Sequence, residues 1–141
     1  MAREGPLDNL YFGFDLKRLM VRLDARGGAF RERLTDLDAV RVFFFQPEGF
    51  ELRITNPAQK RPRARLYHDG NPVARSGVEA AADMILELAV PWRSLGVSTD
   101  DPIQFCVDLI EDEQSVQRVP HEGAIETSVP SPEYEFIMWQ A

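Results

Sequence analysis

The chain has 141 residues, one domain's length, with 44% hydrophobic and 28% charged residues and a single cysteine. That is enough chain to bury a core without staples, and one cysteine excludes an internal disulfide framework. The net charge of −7 argues against nucleic acid as the main partner, and no run of about 18 apolar residues exists to span a membrane.

The first residues, MAREGPLDNLYF, lack the basic-then-apolar order of a signal peptide. A reducing, cytoplasmic location is therefore expected. Residues 1–8 read as a disordered tail ahead of a single domain that spans residues 1–141. Charge is uneven: residues 1–75 hold 14 of the 16 Lys and Arg, and residues 76–141 hold 13 of the 23 Asp and Glu. Strands from both halves interleaving in one sheet would mix these charges on the surface.

Alternation with period two dominates from residue 10 onward. Leu10, Phe12 and Phe14 share one face, as do Leu19, Val21 and Leu23. The connector Asp15–Arg18 is short, so the two runs read as a hairpin. Gly27 and Gly28 break the pattern, and residues 29–38 can hold a short turn of helix. Residues 40–46 and 50–54 read as strands around the turn Pro47-Glu48-Gly49. Residues 64–68 lead into Asp69-Gly70-Asn71-Pro72, a turn signal, with a return strand over 73–76.

Residues 83–90 place Met84, Leu86, Leu88 and Val90 on one face. Residues 103–110 do the same with Ile103, Phe105, Val107 and Leu109. Glu111–Gln114 is a hairpin tip before 115–119, and 125–129 and 133–139 finish the chain. The pattern predicts an all-β antiparallel sandwich of two packed sheets, jelly-roll or immunoglobulin-like, with roughly nine or ten strands and at most one short helix.

Several strands are apolar in both phases. If Val40, Val42 and Phe44 face the core, then Phe43 and Phe45 face away; Tyr11, Met20, Ile85 and Ala89 also fall off their core face. A free-standing sandwich shows polar outer faces, so one outer face is expected to be covered, by a crossing loop, another domain or a ligand.

Candidate chemistry is sparse. His68 and His121 are the only histidines and have no zinc-ligand spacing. Cys106 lies off the core phase of its strand and reads as structural. No nucleophile–base set is recognisable, so no catalytic residue is assigned and the chain alone is not read as an enzyme. No cofactor is expected, although Asp36, Asp38 or the acidic turn at 111–113 could hold calcium.

Pro91 ends its strand, and Trp92, Ser94, Leu95 and Gly96 then make one tight turn with Gly96 free to take a positive φ. Trp92 and Leu95 fall on one side and are expected to plug the end of the core, the indole N–H donating to a nearby carbonyl.

Five pieces in order carry a resemblance. They are Tyr11–Asp15; Leu19–Asp24; Leu86–Trp92 with Leu95 and Gly96; Gln117–Pro120 with Gly123; and Val129-Pro130 with Tyr134–Phe136 and Trp139. This series resembles the non-catalytic C-terminal β-sandwich domain of glycoside hydrolase family 57 proteins, itself similar to family 9 carbohydrate-binding modules and DOMON-like sandwiches. The resemblance implies an accessory domain of an α-glucan-acting enzyme, with a catalytic barrel in cis or in trans. The family's catalytic residues lie in that barrel, and none maps onto this chain.

Two roles follow. One is carbohydrate binding through the surplus aromatics Phe43, Phe45, Tyr67 and Trp139, with an α-glucan or oligosaccharide as partner. The other is structural docking on the barrel, or on a second copy as a homodimer, with no ligand. Neither a nucleic acid nor a membrane is an expected partner.

Overall fold

The computed structural model describes residues 5–132 and, for their backbone, residues 137–140. Period-two alternation becomes strands throughout. Strands β1 (Leu7–Phe14), β2 (Arg18–Ala25), β7 (Glu79–Ala82), β8 (Ile85–Pro91) and β12 (Ile137–Gln140) make a five-stranded sheet in the order β12-β1-β2-β8-β7. The second sheet has seven strands. Its order is β10 (Gln114–Val119), β9 (Pro102–Glu111), β3 (Ala39–Gln46), β4 (Phe50–Thr55), β5 (Arg63–His68), β6 (Asn71–Pro72), with β11 (Ile125–Ser128) also paired to β9. All pairings are antiparallel.

The sheets pack face to face around one hydrophobic cluster, which makes the protein an all-β sandwich. The Phe12 ring of the first sheet meets the Phe105 ring of the second edge-on, with centroids 6.1 Å apart. Leu10, Phe12, Phe14, Leu19, Val21, Leu23, Ile103, Phe105, Val107 and Leu109 are all buried, in the phase that the alternation predicts.

Two short helical elements close the two ends of the core. Helix α1 (Phe30–Arg33) follows β2 and brings in Phe30, with Leu34 and Leu37 behind it, all buried. Its first N–H groups are met by the β7–β8 turn: Phe30 donates to the Met84 carbonyl at 2.9 Å and Arg31 to the Asp83 carbonyl at 3.2 Å. At the other end, Trp92–Leu95 form a 3-10 turn, capped by Gly96 at φ 66°.

Three sequence expectations are corrected. The N-terminal tail cannot extend to residue 8, because β1 starts at Leu7 and Leu7 is fully buried. Its N–H donates to Oε1 of the buried Gln117 at 2.8 Å, so a side-chain amide of one sheet clamps the first strand of the other. The return strand over 73–76 is absent: β6 stops at Pro72, and Arg75 takes φ 53°, outside the strand region. Met84 does not join the core face. It sits in the turn between β7 and β8, 67% exposed, and β7 itself, with the sequence EAAA, carries no alternation to announce it.

Candidate functional site

The outer face of the seven-stranded sheet is built from the residues that alternate with its core positions. Register places Cys106, Phe43, Glu51, Tyr67 and Pro72 in one row across β9, β3, β4, β5 and β6. The neighbouring row is Asp108, Arg41, Arg53 and Arg65 across β9, β3, β4 and β5.

Phe43 and Phe45 are 37% and 40% exposed, against 1% for Phe44 between them. The β3–β9 register shifts between Phe44 and Gln46, so Phe45 is the extra residue of a bulge. Bulges re-aim side chains. Here the Phe45 ring lies edge-on to Phe43, with centroids 5.1 Å apart and planes at 73°. Tyr67 is half-buried and two strands from Phe43 on the same face, about 10 Å away at ordinary strand spacing.

Register places Glu51 between Phe43 and Tyr67. Its Oε1 accepts from Arg41 Nη2 at 2.8 Å, and its Oε2 lies 3.5 Å from Arg53 Nη1. Arg41 also lies 3.9 Å from the Asp108 carboxylate and 5.9 Å from the Phe43 ring centre. The platform thus holds rings, fixed guanidinium donors and a carboxylate acceptor on one rigid sheet.

Trp139 is not brought to this platform. Its backbone pairs with Phe12 in the other sheet, and its side chain lies outside the described residues. Trp92 is 4% exposed, and its indole N–H donates to the Asp15 carbonyl at 2.9 Å. Leu95 is buried beside the same cluster. Trp92 and Leu95 therefore close the core, with Pro91 leading into their turn and Gly96 ending it.

Elsewhere, the ring of His68 stacks on Phe50 at 4.1 Å, in the inward phase of β4 and β5, and His121 is exposed in a loop. The Asp38 carboxylate accepts from the Asp112 N–H at 2.7 Å, joining the two acidic loops. Among the described residues, no group of three or more His, Cys, Asp or Glu side chains is placed to hold a metal ion. None of their helices is long and apolar enough to cross a membrane.

Cys106 is 5% exposed, although it belongs to the outward phase of β9. Burial pushes its thiol above the usual range, and the Arg118 guanidinium partly offsets this.

The outer face of the five-stranded sheet carries a second concavity, a groove of about 450 Å³ over Met20, Ala81 and Ala89, walled by Arg18, Glu79 and Glu87. At its margin Arg22 is held by Asp24 at 2.7 and 2.9 Å and lies 5.0 Å from the Tyr11 ring centre. Tyr11, Met20 and Ala89, which the alternation leaves off the core face, thus belong to this outer surface.

No protein-family model, no curated protein and no solved structure matches the chain.

Proposed function

We propose that the chain is a non-catalytic accessory sandwich that binds oligosaccharide on the outer face of its seven-stranded sheet. The observation that carries this reading is the exposed Phe43–Phe45 pair, set on a bulge beside Glu51, Arg41 and Arg53. A pyranose has an apolar C–H face and a rim of hydroxyls. Aromatic rings take the face, and fixed donors and acceptors take the rim. The rings cost little conformational entropy to order, because Phe43 is already packed against Phe45 and Arg41.

The resemblance to the family 57 accessory domain narrows the ligand to α-glucans and supplies a glycoside hydrolase as the working partner, in cis or in trans, inside the cell. The test is titration of the purified chain with maltooligosaccharides, glycogen and starch. Phe43→Ala and Phe45→Ala should each weaken binding at least about tenfold, or 1.4 kcal/mol, in protein that circular dichroism shows to be folded. Absence of binding at millimolar sugar by folded protein would overturn the reading for these ligands.

The same exposed pair favours a second reading, a docking surface for a catalytic barrel or a second copy. Where the partner is a second copy, the chain self-associates and Phe43→Ala returns it to a monomer, whatever sugar is present.

A further inference from the structure

The row beside the aromatic platform is unusual in charge. Arg41, Arg53 and Arg65 stand directly opposite one another on β3, β4 and β5, and Arg118 extends the row beyond Asp108. Like charges directly opposite in an antiparallel sheet are destabilising. Two carboxylates answer the row. Glu51 is divided between Arg41 and Arg53, and Asp108 faces Arg41 and accepts from the Ser115 hydroxyl. Arg65 is exposed and has no ion pair among the described residues. The sheet thus holds a surplus of guanidinium groups on one rigid face of a protein whose net charge is −7.

We infer that this row makes the platform a site for an oligosaccharide that carries an anionic group: a carboxylate, sulfate or phosphate ester on the sugar. The inference rests on the carbohydrate reading of the same face. The rings of Phe43 and Tyr67 would take the pyranose faces. Arg53 and Arg65, adjacent at ordinary strand spacing of about 4.8 Å, would close as a fork on the anion, the geometry in which guanidinium groups recognise planar or tetrahedral oxyanions. An anion seated there removes the Arg53–Arg65 repulsion that the free protein carries. Glu51 in the middle of the platform repels a continuous phosphodiester chain, and so does the chain's net charge, which favours a sugar with spaced charges over a nucleic acid.

The experiment is a calorimetric titration of the full chain at low and at 0.15 M salt. The probes are maltohexaose, its 6-phosphorylated form, an oligogalacturonate and a sulfated oligosaccharide of similar length, and a single-stranded oligodeoxythymidylate. At least one anionic sugar should bind about tenfold or more tighter than maltohexaose at low salt, with the advantage shrinking as salt rises. The three anionic arms separate phosphate, carboxylate and sulfate as the group read. Arg65→Gln should abolish that advantage while leaving maltohexaose binding unchanged and the melting temperature no lower, because Arg65 has no ion pair to lose among the described residues and its repulsion with Arg53 is relieved.

Equal affinity for neutral and anionic sugars overturns the inference and leaves the carbohydrate reading standing. Binding of no sugar overturns both. An anionic preference that survives Arg65→Gln places the anion elsewhere and overturns it, as does tighter binding of the oligodeoxythymidylate than of any sugar.

Discussion

Replacing Trp92 measures how the sandwich end is held. The side chain is 4% exposed and belongs to the hydrophobic cluster of the core. It also anchors the β1–β2 turn twice: the indole N–H donates to the Asp15 carbonyl and the backbone N–H to the Lys17 carbonyl, both at 2.9 Å. The Asp15 carboxylate organises that turn in parallel, accepting from the N–H groups of Lys17 and Arg18 at 2.8 and 2.9 Å.

Trp92→Ala removes the buried indole and leaves a cavity, and a substitution of this kind costs about 3–5 kcal/mol. Trp92→Phe keeps most of the apolar volume and removes the donor to the partly buried Asp15 carbonyl, at a cost of about 0.5–1.5 kcal/mol. The Lys17 bond survives both changes, since it is made by the backbone. For a chain of this length the alanine variant should melt on the order of 10–20 °C lower.

Urea unfolding followed by far-ultraviolet circular dichroism reads both variants without relying on the fluorophore that was removed. The midpoint should fall with an unchanged slope, showing that stability changed and the unfolded state did not. An alanine variant that keeps its melting temperature would refute the plug. The refutation would be sharper still if that variant lost sugar binding, because Trp92 would then be part of the site.

Two further outcomes follow from buried polar groups. Gln117→Ala should cost about 1–3 kcal/mol, since the Leu7 N–H it accepts from is buried and would be left without that bond. Native hydrogen exchange should show the loss concentrated at the start of β1, and unaltered protection there would refute the clamp. Cys106 should react slowly with a disulfide reagent in the native chain near pH 8 and rapidly once urea is added, because burial holds the thiol protonated. The sign follows. A thiol raised in the folded state favours folding at lower pH, and that contribution fades as pH rises through the thiol range and the unfolded cysteine ionises first. A native thiol as reactive as free cysteine would refute this.

Much of the sandwich was written in local pattern. Alternation placed Val40, Val42 and Phe44 inward and Phe43 and Phe45 outward, because successive side chains of a strand must point to opposite faces. Proline ahead of Trp92 and glycine after Leu95 marked the end plug, because those two residues restrict the backbone in known ways. Where local chemistry is silent the pattern failed. Strand β7 has alanine in both phases and exists only because β8 offers it a ladder. Met84 continues the alternation of β8 but sits where the chain must turn to meet β7.

The candidate site was legible in part, and for the same reason. That Phe43 and Phe45 face away from the core follows from their own strand. That Tyr67 shares their face, with Glu51 between, depends on how β3, β4 and β5 pair. Arg41, Arg53 and Arg65 are three unremarkable surface residues along the chain and one row of charge in the sheet. Strand phase is a property of neighbouring residues. Strand register depends on which strands pair and on the turns that join them, and the pairing of β3, β4 and β5 is seen only in the tertiary structure.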